Sequence, residues 1–224
     1  MTPDVSVIVP AYNEAHRLGE TLQSLSGLKE INEIVVVDDG SRDDTASVGE
    51  KWADTVIRRE KNCGKGYALD LGWRKAKGEF IVFLDADLGR TADLAAYLIE
   101  PVMRGQCDMT IATLPPAKQK GGFGFVKGLA DQGVRRLTGQ HISAPLSGQR
   151  AMRRHLLEQI PPLSRDFGIE VSLTVEALRR GFRISEVPLA FSHRETGRNL
   201  AGFVHRGRQF VHISRTLYRL WRAT

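Results

Sequence analysis

Over the first 113 residues, short apolar runs alternate with longer stretches of helical spacing. Residues 5–9 read as a strand and 14–25 as a helix. The run 34–37 reads as a second strand, ending at Asp38-Asp39-Gly40-Ser41. Asp43 or Asp44 is placed to cap the next helix, which runs to about residue 52. A short strand at 55–57 and a helix at 66–76 follow. Residues 80–84, Phe-Ile-Val-Phe-Leu, form an unbroken apolar run, the mark of a strand covered on both faces. A helix at 92–103 and a strand at 109–112 complete the first half. This alternation predicts an α/β fold, a three-layer αβα sandwich around a mostly parallel sheet.

The segment 114–124 is the least regular, with three glycines, two prolines and two lysines in eleven residues. It reads as a lid or as a plain surface linker. Beyond it the pattern predicts helices at 125–137, 153–159 and 168–180. A strand at 184–191 and a long helix from residue 199 follow. The expected division is one catalytic domain over 1–198, with a nucleotide-binding half to about 113 and an acceptor-side half over 114–198. Residues 199–224 form a basic amphipathic tail.

Ligands of open α/β sheets bind at the carboxyl ends of the strands. Three predicted strands deliver polar residues there: Tyr12-Asn13-Glu14, Asp38-Asp39 and Asp85-Ala86-Asp87. Side chains alternate along a strand, so Asp85 and Asp87 project the same way if strand geometry persists. Two adjacent carboxylates repel unless a cation lies between them, and Mg²⁺ or Mn²⁺ shared with phosphate oxygens would satisfy both. A pair of loop carboxylates, one capping the following helix, is the alternative.

Charge sharpens this picture. Of 32 basic and 26 acidic side chains, residues 194–224 hold seven arginines and one acid, so the whole net charge of +6 lies in the tail. That asymmetry calls for an anionic partner: substrate phosphates, a membrane surface or nucleic acid. No apolar run approaches the roughly 20 residues that span a bilayer. The opening residues lack the basic and apolar regions of a leader, so a cytoplasmic protein is expected. Cys63 and Cys107 fit no metal spacing and read as reduced thiols.

Several separated segments resemble the family 2 glycosyltransferases of GT-A fold. They are Val5 through Glu14, Val37-Asp38-Asp39-Gly40-Ser41, Gly64-Lys65-Gly66 and Leu84-Asp85-Ala86-Asp87. Ser147-Gly148-Gln149-Arg150-Ala151 and Ser185-Glu186-Val187-Pro188-Leu189 are similar to later segments of the dolichyl- and polyprenyl-phosphate sugar transferase branch. The resemblance implies that Pro10, Tyr12, Glu14 and Asp38 or Asp39 hold the nucleotide base and ribose, with Lys65 beside the nucleotide or its phosphates. It implies that Asp85 and Asp87 hold Mn²⁺ or Mg²⁺ on the donor diphosphate. In the dolichyl-phosphate mannose synthase pattern a glutamine also contributes to the ion; here Gly89 stands there, and His193 is the candidate replacement. Arg150, Arg194 and Arg198 are candidate contacts for a diphosphate or an acceptor phosphate. On the acceptor side Glu170 aligns with a glutamate of the branch, and Asp166 is either a second site carboxylate or a helix cap. Asp87, Glu170 and Asp166 thus form the candidate catalytic set.

The function implied is an inverting, metal-dependent transfer from a nucleotide sugar, a UDP-sugar before GDP-mannose, to a lipid-phosphate or small-molecule acceptor. A peripheral place at the inner face of the cell membrane fits such an acceptor, and nucleic acid is not an expected partner. A nucleotidyltransferase making nucleotide sugars is the second reading, although such enzymes open with a glycine-rich loop that Pro10-Ala11-Tyr12-Asn13-Glu14 does not provide. A non-catalytic nucleotide- or membrane-binding module is the third. For the tail, helical spacing from 203 to 221 gathers Phe203, Val204, Phe210, Val211, Ile213, Leu217, Tyr218, Leu220 and Trp221 on a broad arc, with Arg208, Arg215 and Arg219 opposite beside His205 and His212, and Arg206 on the apolar side. Either the helix packs on the domain or it lies on an anionic bilayer.

Overall fold

The structure, a computed structural model, describes residues 4–113, 125–163, 168–192 and 200–223, without the side chains of 125 and 200–209. The expected lid or linker at 114–124, and Asp166, His193, Arg194 and Arg198, lie outside the described residues.

Seven strands form one sheet in the order β3-β2-β1-β4-β6-β5-β7. They are β1 (Val5–Ala11), β2 (Glu33–Asp38), β3 (Thr55–Arg58), β4 (Phe80–Phe83), β5 (Met109–Thr113), β6 (Arg150–Arg153) and β7 (Ile184–Pro188). All neighbouring pairs are parallel except those of β6, which runs antiparallel to both β4 and β5. The mostly parallel α/β sandwich expected from the alternation is therefore present. The strand β6 was not expected. It is four residues long with an arginine at each end, and only Ala151 and Met152 are apolar, so it carries neither a run nor an alternation.

The helices are α1 (Ala15–Ser26), α2 (Thr45–Gly49), α3 (Lys65–Lys75), α4 (Ala95–Met103), α5 (Phe125–Thr138), α6 (Arg154–Gln159), α7 (Ile169–Arg179) and α8 (Leu200–Arg222). The helix expected over 92–103 begins as a 3₁₀ turn at Gly89–Leu94 before becoming α4. Each apolar strand feeds two cores because its side chains alternate faces. Ile8, Val35, Val37, Ile81 and Phe83 pack with residues of α3, α5 and α7. Val7, Val9, Ile34, Val36 and Val82 pack on the other face with residues of α1 and α4.

Sheet polarity decides where the site lies. The carboxyl ends of β1, β2 and β4 share one edge, and β6, being antiparallel, brings its amino end to that same edge. Its register places Arg150 opposite Phe83, so the Ser147–Gln149 turn stands beside the chain leaving β4. The amino ends of α3 and α7 reach this edge too. Helix α8 packs on α5 and α7, burying Ile213, Thr216 and Leu220, and Arg179 Nη1 donates to Leu220 O at 3.0 Å.

Candidate active site

Asp85 and Asp87 keep the strand alternation beyond the end of β4. Leu84, Ala86 and Leu88 are at most 4% exposed and anchor in the core, which leaves the two carboxylates on the open side. Helix α1 braces this loop from below. Thr21 Oγ1 donates to Ala86 O at 2.9 Å and accepts from Gly89 N at 2.8 Å, while Arg17 Nη1 donates to Asp87 O at 3.1 Å.

Lys65 opens α3, a position where the helix dipole disfavours a cation. Two carboxylates reverse that balance: Lys65 Nζ lies 2.7 Å from Asp85 Oδ1 and 3.1 Å from Glu170 Oε1. Burial works against the ammonium, yet Asp85 and Glu170 outweigh it and raise its pKa well above the ordinary lysine value. Glu170 stands in the first turn of α7, where the dipole favours an anion. Gln149 Nε2 donates to Asp85 Oδ2 at 2.6 Å, so both oxygens of Asp85 are engaged. A side chain at Gly148 would displace the Lys65 ammonium and stand 3.1 Å from Asp85 Oδ2, so glycine here leaves the Lys65–Asp85 pair in place.

Beside this cluster three loops are stitched together. Asn13, at φ 56°, donates its N–H to Ser41 Oγ at 2.9 Å and accepts from Arg42 N at 2.9 Å. Glu14 N donates to Thr45 Oγ1 at 2.9 Å and Ala15 N to Asp43 Oδ2 at 3.2 Å. Asp44 occupies the N-cap position of α2 without a side-chain bond, whereas Asp43 accepts from Thr45 N at 3.1 Å. Burial pushes the Asp43 carboxyl up, but hydrogen bonds from Thr45 and Ala15 prevail and lower it. Tyr12 stands 43% exposed on this side.

Asp38 and Asp39 are both buried. Asp38 Oδ1 accepts from Ser41 N at 2.9 Å. Asp39 accepts from Arg59 Nη1 at 3.1 Å and from the backbone of Cys63 and Gly64, the last at 2.7 Å. The guanidinium of Arg59 lies 4.0 Å from the centroid of the Tyr67 ring. Asp39 thus holds the loop that delivers Lys65. Asp39→Asn puts an N–H₂ donor against these donors and is expected to lower stability by about 1–3 kcal/mol. Urea unfolding reads the loss, and an unchanged midpoint would contradict this role.

Arg150 is corrected by the structure. It was expected to contact a phosphate, but it is 1% exposed and points into the domain. Its Nε donates to Ser147 O at 2.8 Å, Nη2 to Pro145 O at 3.0 Å and Nη1 to Thr174 Oγ1 at 2.8 Å. Burial pushes its pKa down to about 10, opposed by the Glu170 and Glu186 carboxylates. An arginine following a Ser-Gly turn looks the same in sequence whether it faces solvent or the core.

The expected metal ligands are brought together in part. Among the described residues no three His, Cys, Asp or Glu side chains are grouped so that they could hold a metal ion, and His193 lies outside them. Asp85 and Asp87 nevertheless fit a divalent cation, because they offer hard carboxylate oxygens and Oδ1 of Asp85 already faces a positive charge. Sequence reasoning missed Gln149, Arg59 and the Asn13–Ser41 stitch. Gln149 had a signal in the Ser147–Arg150 motif, and Asn13 and Ser41 in theirs; Arg59 had none.

Comparison with known proteins gives the family. The model of the family described as Glycosyl transferase family 2 matches residues 6–161, most of the sheet and all three loops. The chain belongs to glycosyl transferase family 2. It is 31% identical to a dolichol-phosphate mannosyltransferase of Pyrococcus furiosus, over 96% of this chain and 63% of that protein. The chain therefore spans less than two thirds of that relative's length. It is 29% identical to an undecaprenyl-phosphate mannosyltransferase of Micrococcus luteus, over 94% of this chain and 93% of that protein. A glucosyl-3-phosphoglycerate synthase of Mycobacterium tuberculosis, solved with Mn²⁺, UDP and glucosyl-3-phosphoglycerate, superposes with a TM-score of 0.82 at 26% identity. The match covers 97% of this chain and 80% of that one. The fold of this family 2 chain is GT-A, with the sugar transferases of lipid phosphates among its sequence relatives.

Proposed function

We propose that this chain transfers a sugar from a nucleotide-sugar donor, a UDP-sugar before GDP-mannose, to a polyprenyl-phosphate acceptor with the help of Mn²⁺ or Mg²⁺. The observation that carries the reading is the Asp85–Lys65–Glu170 cluster at the carboxyl edge of the sheet, set beside the stitched Tyr12, Glu14 and Asp38-Asp39 loops. Pro10, Tyr12, Glu14 and Asp38 or Asp39 would hold base and ribose, with the open face of Tyr12 offered for stacking. Asp85 and Asp87 would hold the divalent ion, which supplies charge neutralisation to the departing diphosphate. Lys65 would add a fixed positive charge beside the same phosphates.

A lipid-phosphate oxygen is already an anion, so attack on the anomeric carbon, with inversion, needs no general base. Glu170 suits that economy: its carboxylate is committed to Lys65, 3.1 Å away, and its work is to place the ammonium. Asp166 and His193, with Arg194 and Arg198, remain proposed acceptor, metal and phosphate contacts. A thermal-shift series with UDP, GDP, CMP and dTDP, each with and without Mn²⁺, tests the donor. A diphosphate nucleotide is expected to raise the midpoint only when Mn²⁺ is present, because ligands that bind the folded state stabilise it. No shift with any of the four would contradict the reading.

The tail supports access to a lipid acceptor. Packing uses one arc of α8, through Ile213, Thr216 and Leu220. A second arc is left outside, with Phe210 43%, Val211 45%, Tyr218 57% and Trp221 64% exposed, and Arg215, Arg219 and Arg222 beside it. The packed and the interfacial readings of this helix are thus compatible. An aromatic arc flanked by arginines suits the headgroup region of an anionic bilayer. No described helix is long and apolar enough to cross a membrane. The protein is expected to sediment with anionic vesicles but not neutral ones, and less so in high salt. Joint Tyr218→Ser and Trp221→Ser substitution is expected to abolish this binding; retained binding would contradict the surface role.

A further inference from the structure

We infer that Gln149 is the positioning residue of Asp85, holding Oδ2 so that Oδ1 is the oxygen presented to a cation. The inference rests on the metal-assisted transfer proposed above. Gln149 is 1% exposed, and a buried amide must be matched at both ends. Its Nε2 donates to Asp85 Oδ2 at 2.6 Å, and its Oε1 accepts from Ser147 Oγ at 3.2 Å. A carboxylate only accepts, so the amide has one orientation, and the Ser147 hydroxyl satisfies its oxygen.

The backbone around Gln149 is equally fixed. Its carbonyl accepts from Ala112 N at 3.0 Å, which ties it to β5. Arg150 below it binds the carbonyls of Pro145 and Ser147 and reaches Thr174 on α7. Thr174 Oγ1 in turn donates to Glu170 O at 2.8 Å. One buried arginine therefore locks the turn that carries Gln149 to the helix that carries Glu170. Asp85 is gripped from one side by Gln149, and from the other by the Lys65 that Glu170 holds.

This arrangement has a chemical consequence. With Oδ2 accepting from the amide, Oδ1 would be the oxygen presented to an ion. Oδ1 is also the atom facing Lys65 at 2.7 Å. A divalent ion at Asp85 would therefore compete with the Lys65 ammonium for that oxygen. Outer-shell partners of this kind typically change metal affinity by about ten- to hundredfold when removed.

The test uses the full chain and Mn²⁺ with UDP or GDP as probe, reading free Mn²⁺ by electron paramagnetic resonance. Gln149→Met, close in shape and without the amide, is expected to bind Mn²⁺ about ten- to hundredfold more weakly. Gln149→Glu, which sets carboxylate against carboxylate, is expected to bind more weakly still. The unfolding midpoint is followed alongside, since a merely structural role would move it and leave Mn²⁺ affinity alone. Wild-type Mn²⁺ affinity in folded Gln149→Met overturns the inference and leaves the metal-assisted reading standing. Absence of Mn²⁺ binding in the unaltered protein overturns both. If Gln149→Met does not fold, Ser147→Ala removes the bond at the other end of the amide and loosens its hold on Asp85; weaker Mn²⁺ binding supports the inference and unchanged binding overturns it.

Discussion

Asp87→Ala is expected to abolish sugar transfer and to remove the Mn²⁺ dependence of diphosphate-nucleotide binding. The side chain stands on the open side of a loop whose neighbours Ala86 and Leu88 are buried and whose own carbonyl is held by Arg17 at 3.1 Å. Removing it should leave the loop in place and take away one of two oxygen donors. Loss of a group that stabilises developing charge costs about 10²–10³ in turnover, and more where the ion itself is lost. Steady-state turnover and Mn²⁺ titration of nucleotide binding measure the two effects separately. Full activity of the variant under chelation would sink the metal assignment.

Lys65→Met should give the largest stability change among the site residues. It leaves Asp85 and Glu170, with side chains 27% and 13% exposed, facing each other without their cation. Stripping one partner from a buried ionic group costs about 3–5 kcal/mol, and partial exposure of Lys65 reduces this to roughly 2–3 kcal/mol. The sign with pH follows from the raised lysine pKa. A base whose folded pKa lies above its unfolded value contributes fully below the unfolded value, about 10.4, and loses the contribution only as pH rises through the folded one. The gap between variant and unaltered protein is therefore expected to be flat from about pH 6 to 9. Mn²⁺ should narrow it, because in the variant the ion meets carboxylates with no ammonium to displace. Equal stability of the two proteins in urea would contradict the triad's role.

The parts of the fold legible in the sequence were those in which one physical demand dominates. Strands β1, β2 and β4 are covered on both faces, so their apolar runs were unambiguous, and the carboxylates after them had to lie at one edge. Strand β6 escaped because its pairing is supplied by β4 and β5, not by its own four residues. The error at Arg150 has the same root. Its polar partners are carbonyls of its own turn and Thr174, a residue 24 positions away, and no spacing rule reveals them. Gln149 was visible as part of a motif, but its contact with Asp85 spans 64 positions and depends on the antiparallel register of β6. For α8, helical spacing gathered the apolar residues onto one arc. Packing then divided them: Ile213 and Leu220 went inside, and Tyr218 and Trp221 stayed out.

The most direct measurement of the central claim is transfer itself. The chain is incubated with a radiolabelled UDP-sugar or GDP-mannose, a polyprenyl phosphate in anionic vesicles, and Mn²⁺ or chelator. The account predicts Mn²⁺-dependent passage of label into the lipid fraction, with release of one nucleoside diphosphate per sugar transferred. Label that stays with the nucleotide for every donor and acceptor tried, or transfer of equal rate under chelation, would contradict it.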